Sequence, residues 1–167
     1  EESIFAPTPP LEALRLILSL VATQEYWKGD VATKPGTHRS DDRRLQISVI
    51  DIPRAYFNAS TRDDDPVYVE LPPEDPDYGK GLCGRLIAHM YGTRPAAEGW
   101  HNECATTMAD LGFIVGSSSA CFFYLPEWYL ASSVQGHDFA TVGPKSSLDT
   151  FVGKFQERYK LTGGSEI

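Results

Sequence analysis

Positively charged residues are few in this sequence compared with negatively charged ones. Fifteen lysine and arginine residues stand against 23 aspartate and glutamate residues, so the 167-residue chain has a net charge of −8. A protein that binds nucleic acid by itself normally presents a basic surface, because contacts to phosphate dominate its affinity. The composition therefore excludes a self-sufficient basic nucleic-acid binder, and any such role would need positive charge from metal ions or from other segments.

Long apolar runs and paired cysteines are also missing. The longest apolar stretch, residues 14–22, is about half of the roughly 20 residues that cross a bilayer and includes Arg15. We therefore expect no membrane insertion. The three cysteines are an odd number at wide spacings (Cys83, Cys104 and Cys121), which argues against a disulfide framework and a zinc knuckle. A hydrophobic share of 41% is ordinary for a soluble globular protein, and the cysteine pattern favours a reducing, intracellular compartment. Residues 1–3 show no signal-peptide pattern, and we expect a cut end.

The N-terminal third contains one helix signal, one polar segment and one strand signal. Thr8 followed by two prolines is a typical helix start, and a stripe of apolar residues then recurs at helical spacing to about Trp27 (Leu11, Leu14, Leu18 and Val21). Residues 28–44 are polar, without periodicity, and predict an exposed loop. Residues 45–51 alternate apolar and polar, which predicts a strand with Asp51 at its end, on the same face as Leu45.

The remaining pattern predicts an α+β fold. We expect a short helix after Pro53, strands at 67–71 and 82–86, a helix at 96–111, strands at 113–115, 120–125, 129–134 and 139–142, and a last helix from Pro144 to about Tyr159. Helices and strands alternate irregularly, with hairpins between several strands. The sequence therefore predicts an antiparallel sheet with helices packed on one face.

Two carboxylates stand out as candidates for chemistry. Asp51 ends an apolar strand, and Asp138 lies in a glycine-containing turn between two apolar strands. The simpler interpretation is that a carboxylate in a hairpin turn is merely solvated. Such a pair also suits phosphoryl transfer by two divalent cations, which need several carboxylate oxygens converging from adjacent strands. Mg²⁺ binds a few carboxylates together with water and substrate phosphates.

Five blocks of this sequence resemble the reverse transcriptases of copia-type retrotransposons. They match, in order, the family's Phe-Ala-Pro block, its Asp-Val-x-x-Ala-Phe-Leu-Asn-Gly segment, its Tyr-Met-x-x-Pro strand, its Leu-Tyr-Gly-Leu-Lys-Gln-Ala block and its Tyr-Val-Asp-Asp turn (5–7, 51–59, 67–72, 86–96 and 136–138). The order and spacing of all five agree. The resemblance implies a polymerase palm-like domain over residues 1–167, with the fingers mostly absent and no thumb or RNase H domain.

The resemblance also implies roles for single residues. Asp51 would bind both metal ions, and Asp138 would match the second aspartate of the family turn, so that Mg²⁺ is the implied cofactor. Tyr56 would hold the aromatic position that favours deoxynucleotides. Gly92 and Arg94 would lie beneath the incoming nucleotide and the RNA or DNA template–primer.

Several of these residues have a simpler structural interpretation. Tyr56 and Phe57 after a strand are more often core aromatics, and Trp100 is expected in the core in either case. The acidic turn 63–65 is typical of a solvated surface. The histidines His38, His89 and His101 lack partners at ligand spacing, and we expect them at the surface or as satisfied core residues.

His137 is the main departure from the family pattern. It stands where the first aspartate of the turn is expected, which removes a negative charge and oxygen ligands that Mg²⁺ prefers over nitrogen. The loss of a ligand at the reacting centre should cost several kcal/mol, where about 1.4 kcal/mol is tenfold in rate. Two hypotheses follow. One is an RNA-directed DNA polymerase, inactive or severely impaired, that uses Mg²⁺ and dNTPs. The other is a non-catalytic remnant that serves as a structural or interaction subunit of a larger assembly.

Overall fold

A computed structural model describes residues 8–23 and 44–166 of the chain. The helices of this part are α1 (Leu11–Thr23), α2 (Ala96–Asp110) and α3 (Lys145–Arg158), and its strands are β1 (Leu45–Asp51), β2 (Tyr68–Glu70), β3 (Cys83–Arg85), β4 (Ile114–Gly116), β5 (Ser119–Leu125), β6 (Leu130–Gln135), β7 (Asp138–Pro144) and β8 (Thr162–Glu166). The α+β prediction is confirmed. The predicted loop 28–44, except Arg44, and the block 5–7 lie outside the described residues.

The described residues fall into two compact units. Residues 54–104 form the first unit, and residues 8–23, 44–53 and 105–166 form the second. None of the helices in either unit has the length and apolar character that a membrane crossing requires.

The second unit is built on a six-stranded sheet in the order β4-β5-β6-β7-β1-β8. Each strand pairs antiparallel with its neighbours, and β1 lies between β7 and β8. The sequence predicted β1 and β4 to β7, but it missed β8. The reason is that residues 162–166 include two glycines and no apolar residue, so they carry no strand signal.

Helices cover both faces of this sheet. Ile17 of α1 packs with Leu45 and Val142 on one face, whereas Phe155 of α3 packs against Phe139 on the other, with ring centroids 5.1 Å apart. The expectation of helices on one face only is therefore wrong. Both β1 and β7 carry apolar residues on each side, and burying both sides requires a helix on each.

The buried stripe of α1 also differs from the expected one. Ala13 and Ile17 are buried, and Leu20 and Val21 pack beside them, while the exposed positions include most of the predicted stripe (Leu11, Leu14 and Leu18). Leucine and isoleucine surround almost the whole helix. The helical spacing of the apolar residues alone therefore could not identify the stripe that contacts the sheet.

Aromatic side chains hold α3 against the sheet. Phe151 and Phe155 of α3 pack against each other with their rings tilted, and Phe113 packs against Phe151. Tyr159, just beyond α3, shares a 2.6 Å hydrogen bond between its hydroxyl and that of Thr107 in α2. Buried aromatic pairs of this kind contribute about 0.5–1.5 kcal/mol each beyond the burial of their area. This packing supports the strands from the face opposite to Leu45.

The first unit contains the β2–β3 hairpin. Its two strands pair from Tyr68↔Arg85 to Glu70↔Cys83, and the isolated bridge Ser60↔Ala88 continues the contact between the same two segments. Trp100 is almost completely buried, as predicted for a core residue.

His89 is buried in the first unit, and one nitrogen of its ring lacks a hydrogen bond. Its side chain is almost inaccessible, and its Nδ1 atom has no hydrogen-bond partner. A Cβ atom on Gly99 would overlap the imidazole, so this helix residue has to be glycine or the ring has to move. The expectation of a surface or satisfied histidine is therefore wrong for His89, and His38 lies outside the described residues. Burial lowers the pKa of His89 below its ordinary value of 6.5, and the nearby Glu98 carboxylate partly offsets this effect.

Acid should destabilise the fold through His89. Because its pKa is lower in the folded chain, the unfolded chain binds more protons, and stability is lost as the pH falls below about 6.5. Urea denaturation at about pH 7.5 and about pH 5.5 should show this loss. The loss should be smaller in His89→Leu. An equal loss in both proteins would contradict the assignment, and part of any remaining loss belongs to His101, whose pKa is also lowered by burial.

Candidate metal centre

Backbone pairing places the two candidate carboxylates directly opposite each other. Asp51, the last residue of β1, pairs with Asp138, the first residue of β7. The N–H of Ile52 donates to the carbonyl oxygen of His137 at 3.1 Å. The neighbouring pair, Ile52 and His137, is therefore a hydrogen-bonded pair. Asp51 and Asp138 therefore form a non-hydrogen-bonded pair, whose Cα atoms are about 4.5 Å apart with side chains on the same face.

A two-residue turn places His137 beside the Asp51–Asp138 pair. Gly136 and His137 connect β6 to β7, between the opposing residues Gln135 and Asp138. Gly136 has φ +61°, and His137 is not in the positive-φ region, a pattern typical of a type II′ turn with glycine at its first central position. His137 Nε2 lies 3.5 Å from Asp51 Oδ1, without the geometry of a hydrogen bond.

The two carboxylate oxygens of Asp51 have different surroundings. Oδ2 accepts a 2.6 Å hydrogen bond from the Thr162 hydroxyl of β8. Oδ1 is buried and has no hydrogen-bond partner, although the side chain as a whole is 39% exposed. A buried acceptor without a partner costs about 1–3 kcal/mol, and more when it is charged. A cation at Oδ1 would remove that cost.

The donor set fits a divalent cation. Asp51, His137 and Asp138 each offer one ligand atom, and these atoms all lie within 4.8 Å of one another. Two like charges directly opposite each other in a sheet repel, and a cation between them would offset the repulsion. Two carboxylates and one imidazole supply two negative charges, which suits one dication better than two.

The predicted nucleotide-binding residues all belong to the first unit. Tyr56 is half-buried and packs against Tyr91 with the rings tilted and their centroids 4.4 Å apart. Gly92 has φ +85° and Arg94 is exposed. The roles of Tyr56, Gly92 and Arg94 stay predictions. Phe57 is 50% exposed, so its interpretation as a core aromatic is wrong.

Thr162 is the site residue that the sequence did not indicate. It lies 111 positions after Asp51, in the strand that was missed. No spacing rule connects two residues so far apart. Only the pairing of β8 with β1, which sets Thr162 opposite Asp51, could have identified it.

Comparisons of this chain with protein-family models, with curated proteins and with solved structures found no match. The resemblance to copia-type reverse transcriptases stays a prediction from the sequence blocks.

Replacement of Asp138 by asparagine should stabilise the metal-free protein. The change removes the repulsion with Asp51, because like charges directly opposite each other in a sheet are destabilising. We expect a gain on the scale of other cross-strand pairs, about 0.2–1 kcal/mol. Urea denaturation with a chelator present would measure the gain. On addition of a divalent cation the order should reverse, because the wild type binds the cation more tightly and is stabilised more.

Asp65→Asn, at an exposed turn position, is the matched control and should show neither effect. The absence of a gain in chelator, or equal stabilisation of wild type and Asp138→Asn by the cation, would contradict the site.

Proposed function

We propose that this chain is a palm-like domain related to copia-type reverse transcriptases, whose carboxylate pair binds a single divalent cation but does not support two-metal nucleotidyl transfer. The observation that carries the proposal is the position of Asp51 and Asp138, directly opposite on one face of β1 and β7. They come from two of the five sequence blocks, and they are separated by 86 intervening residues.

The donor set gives the reason for the lack of activity. Two-metal transfer needs two ions about 3.5–4 Å apart, held by several carboxylate oxygens. Asp51 and Asp138 supply two negative charges against the four positive charges of two such ions. His137 supplies an imidazole where a third carboxylate is expected. An imidazole brings no negative charge to offset the charge of the metal ions. The transition state would lose several kcal/mol of stabilisation, where about 1.4 kcal/mol is tenfold in rate.

Several residues of this chain would contribute to cation binding. Oδ1 of Asp51 and the carboxylate of Asp138 would be its oxygen ligands, and Thr162 would orient Asp51 through Oδ2. A bound dication would polarise a phosphoryl oxygen and offset the charge of a phosphate.

Proposed partners follow from the same resemblance. An RNA or DNA template–primer and a dNTP would be the ligands, with Tyr56, Gly92 and Arg94 at the nucleotide. The net charge of −8 opposes tight retention of a polyanion by this chain alone. The interaction-subunit hypothesis is favoured by exposed apolar side chains of the first unit, of which Ile87 is 85% exposed.

Primer extension on an RNA template, together with Mn²⁺ binding, tests the proposal. The wild type should bind a single Mn²⁺ per chain and give no product with Mg²⁺ or Mn²⁺, because the third carboxylate is missing. His137→Asp should bind a second Mn²⁺ in the presence of a dNTP and give measurable extension. Asp51→Asn is the control and should abolish Mn²⁺ binding in either background.

Two results would contradict the proposal. Extension by the wild type that Asp51→Asn abolishes would show an active polymerase. Mn²⁺ binding that survives in Asp51→Asn would show that the carboxylate pair does not hold the cation.

A further inference from the structure

The nitrogen ligand decides which cation suits this cluster. We infer that Asp51, His137 and Asp138 select a nitrogen-binding transition-metal dication, such as Zn²⁺ or Co²⁺, over Mg²⁺, with Nε2 of His137 as a metal ligand. This inference rests on the proposed cation site and names the class of its cation.

The separation between His137 and Asp51 matches that of two ligands on a tetrahedral ion. Zn²⁺ binds nitrogen and oxygen at about 2.0–2.2 Å, so two ligands of a tetrahedral ion lie about 3.3–3.6 Å apart. Neighbouring ligands of an octahedral Mg²⁺, at about 2.0–2.1 Å, lie only about 2.9 Å apart. The distance between His137 Nε2 and Asp51 Oδ1 is 3.5 Å. This pair therefore has the separation of two ligands on one tetrahedral ion.

The surroundings of Asp51 give a second, independent reason. Thr162 occupies Oδ2, and Oδ1 is left buried and without a hydrogen-bond partner on the side of His137. Asp51 is thus oriented to bind through one oxygen. Hydrogen bonds to the second oxygen of a metal-binding carboxylate are a common support of such sites. Thr162 is accordingly a positioning residue, acting on the cation through Asp51.

A direct ion pair between His137 and Asp51 explains the geometry less well. It would bring Nε2 and Oδ1 into a charge-assisted hydrogen bond, typically about 2.7–2.9 Å long. The observed distance is 3.5 Å, and Oδ1 stays without a hydrogen bond. An ion pair also leaves the opposed charge of Asp138 without compensation. A dication held by the cluster would offset the charges of both aspartates and would also engage His137.

The chemistry of the donors points to the same class of ion. Imidazole suits zinc and other late transition metals, whereas Mg²⁺ prefers carboxylate, carbonyl and water oxygen. Across the divalent series, affinity for a mixed nitrogen and oxygen site rises from Mn²⁺ to Co²⁺. An imidazole in the third position therefore favours Zn²⁺ or Co²⁺ and penalises Mg²⁺.

The test is Co²⁺ binding to the full chain, freed of metal by a chelator. Measurements are made at about pH 8, because protons compete less with metal ions for nitrogen ligands at higher pH. Because Cys83 is exposed and can bind Co²⁺, a Cys83→Ser background removes that competing ligand. The wild-type cluster should take one Co²⁺ per chain, give the visible absorption of a tetrahedral site, and keep the ion in a large excess of Mg²⁺.

Variants separate the ligand from the positioning residue. His137→Gln should weaken Co²⁺ binding by at least about tenfold, and Thr162→Val by about 10–100-fold, while Thr162→Ser keeps the hydroxyl and should restore it. His137→Asp should shift the preference towards Mg²⁺. Circular dichroism of each variant verifies that it is folded.

The outcomes distinguish this inference from the proposed function. Displacement of Co²⁺ by an equal concentration of Mg²⁺, or full Co²⁺ affinity in a folded His137→Gln, would overturn the inference. If Asp51→Asn still abolishes cation binding in that case, the proposed cation site survives. If Asp51→Asn changes neither Co²⁺ nor Mg²⁺ binding, both the inference and the proposed site are overturned.

Discussion

The pairing of β1 with β7 is the constraint on which the site depends. Successive side chains of a strand point to opposite faces, so a slip of one residue would carry Asp51 away from Asp138. Burial prevents that slip. Ile50 and Phe139 face α3, while Leu45 and Val142 face α1. Two apolar faces, each covered by a helix, thus fix the register that sets the two carboxylates opposite each other.

Much of this sheet could be predicted from the sequence, because the signals involved are local. Alternation over residues 45–51 identified β1 and the face that carries Asp51, and the glycine before His137 identified the hairpin turn. Two features depend on tertiary contacts and were not predictable. The stripe of α1 that packs on the sheet is chosen among several apolar stripes, and β8 forms because β1 offers a partner, despite its glycine-rich sequence.

The site combines features that are unfavourable without a ligand. Two carboxylates oppose each other, and one buried oxygen has no hydrogen bond. A protein with no use for a cation could replace either aspartate and gain stability. His137 modifies this arrangement without removing it, since an imidazole keeps a metal ligand but not the charge of a carboxylate. Cation binding and loss of two-metal chemistry are therefore compatible in one cluster.

The central claim is that Asp51 and Asp138 hold a cation together. Anomalous scattering from a crystal of the protein grown with Co²⁺ tests it most directly, because it locates the ion independently of any variant. We predict one peak on the Asp51 face of β1 and β7, within bonding distance of Asp51 Oδ1, Asp138 and His137 Nε2. A peak elsewhere, or carboxylates turned away from each other with no peak between them, would contradict the claim.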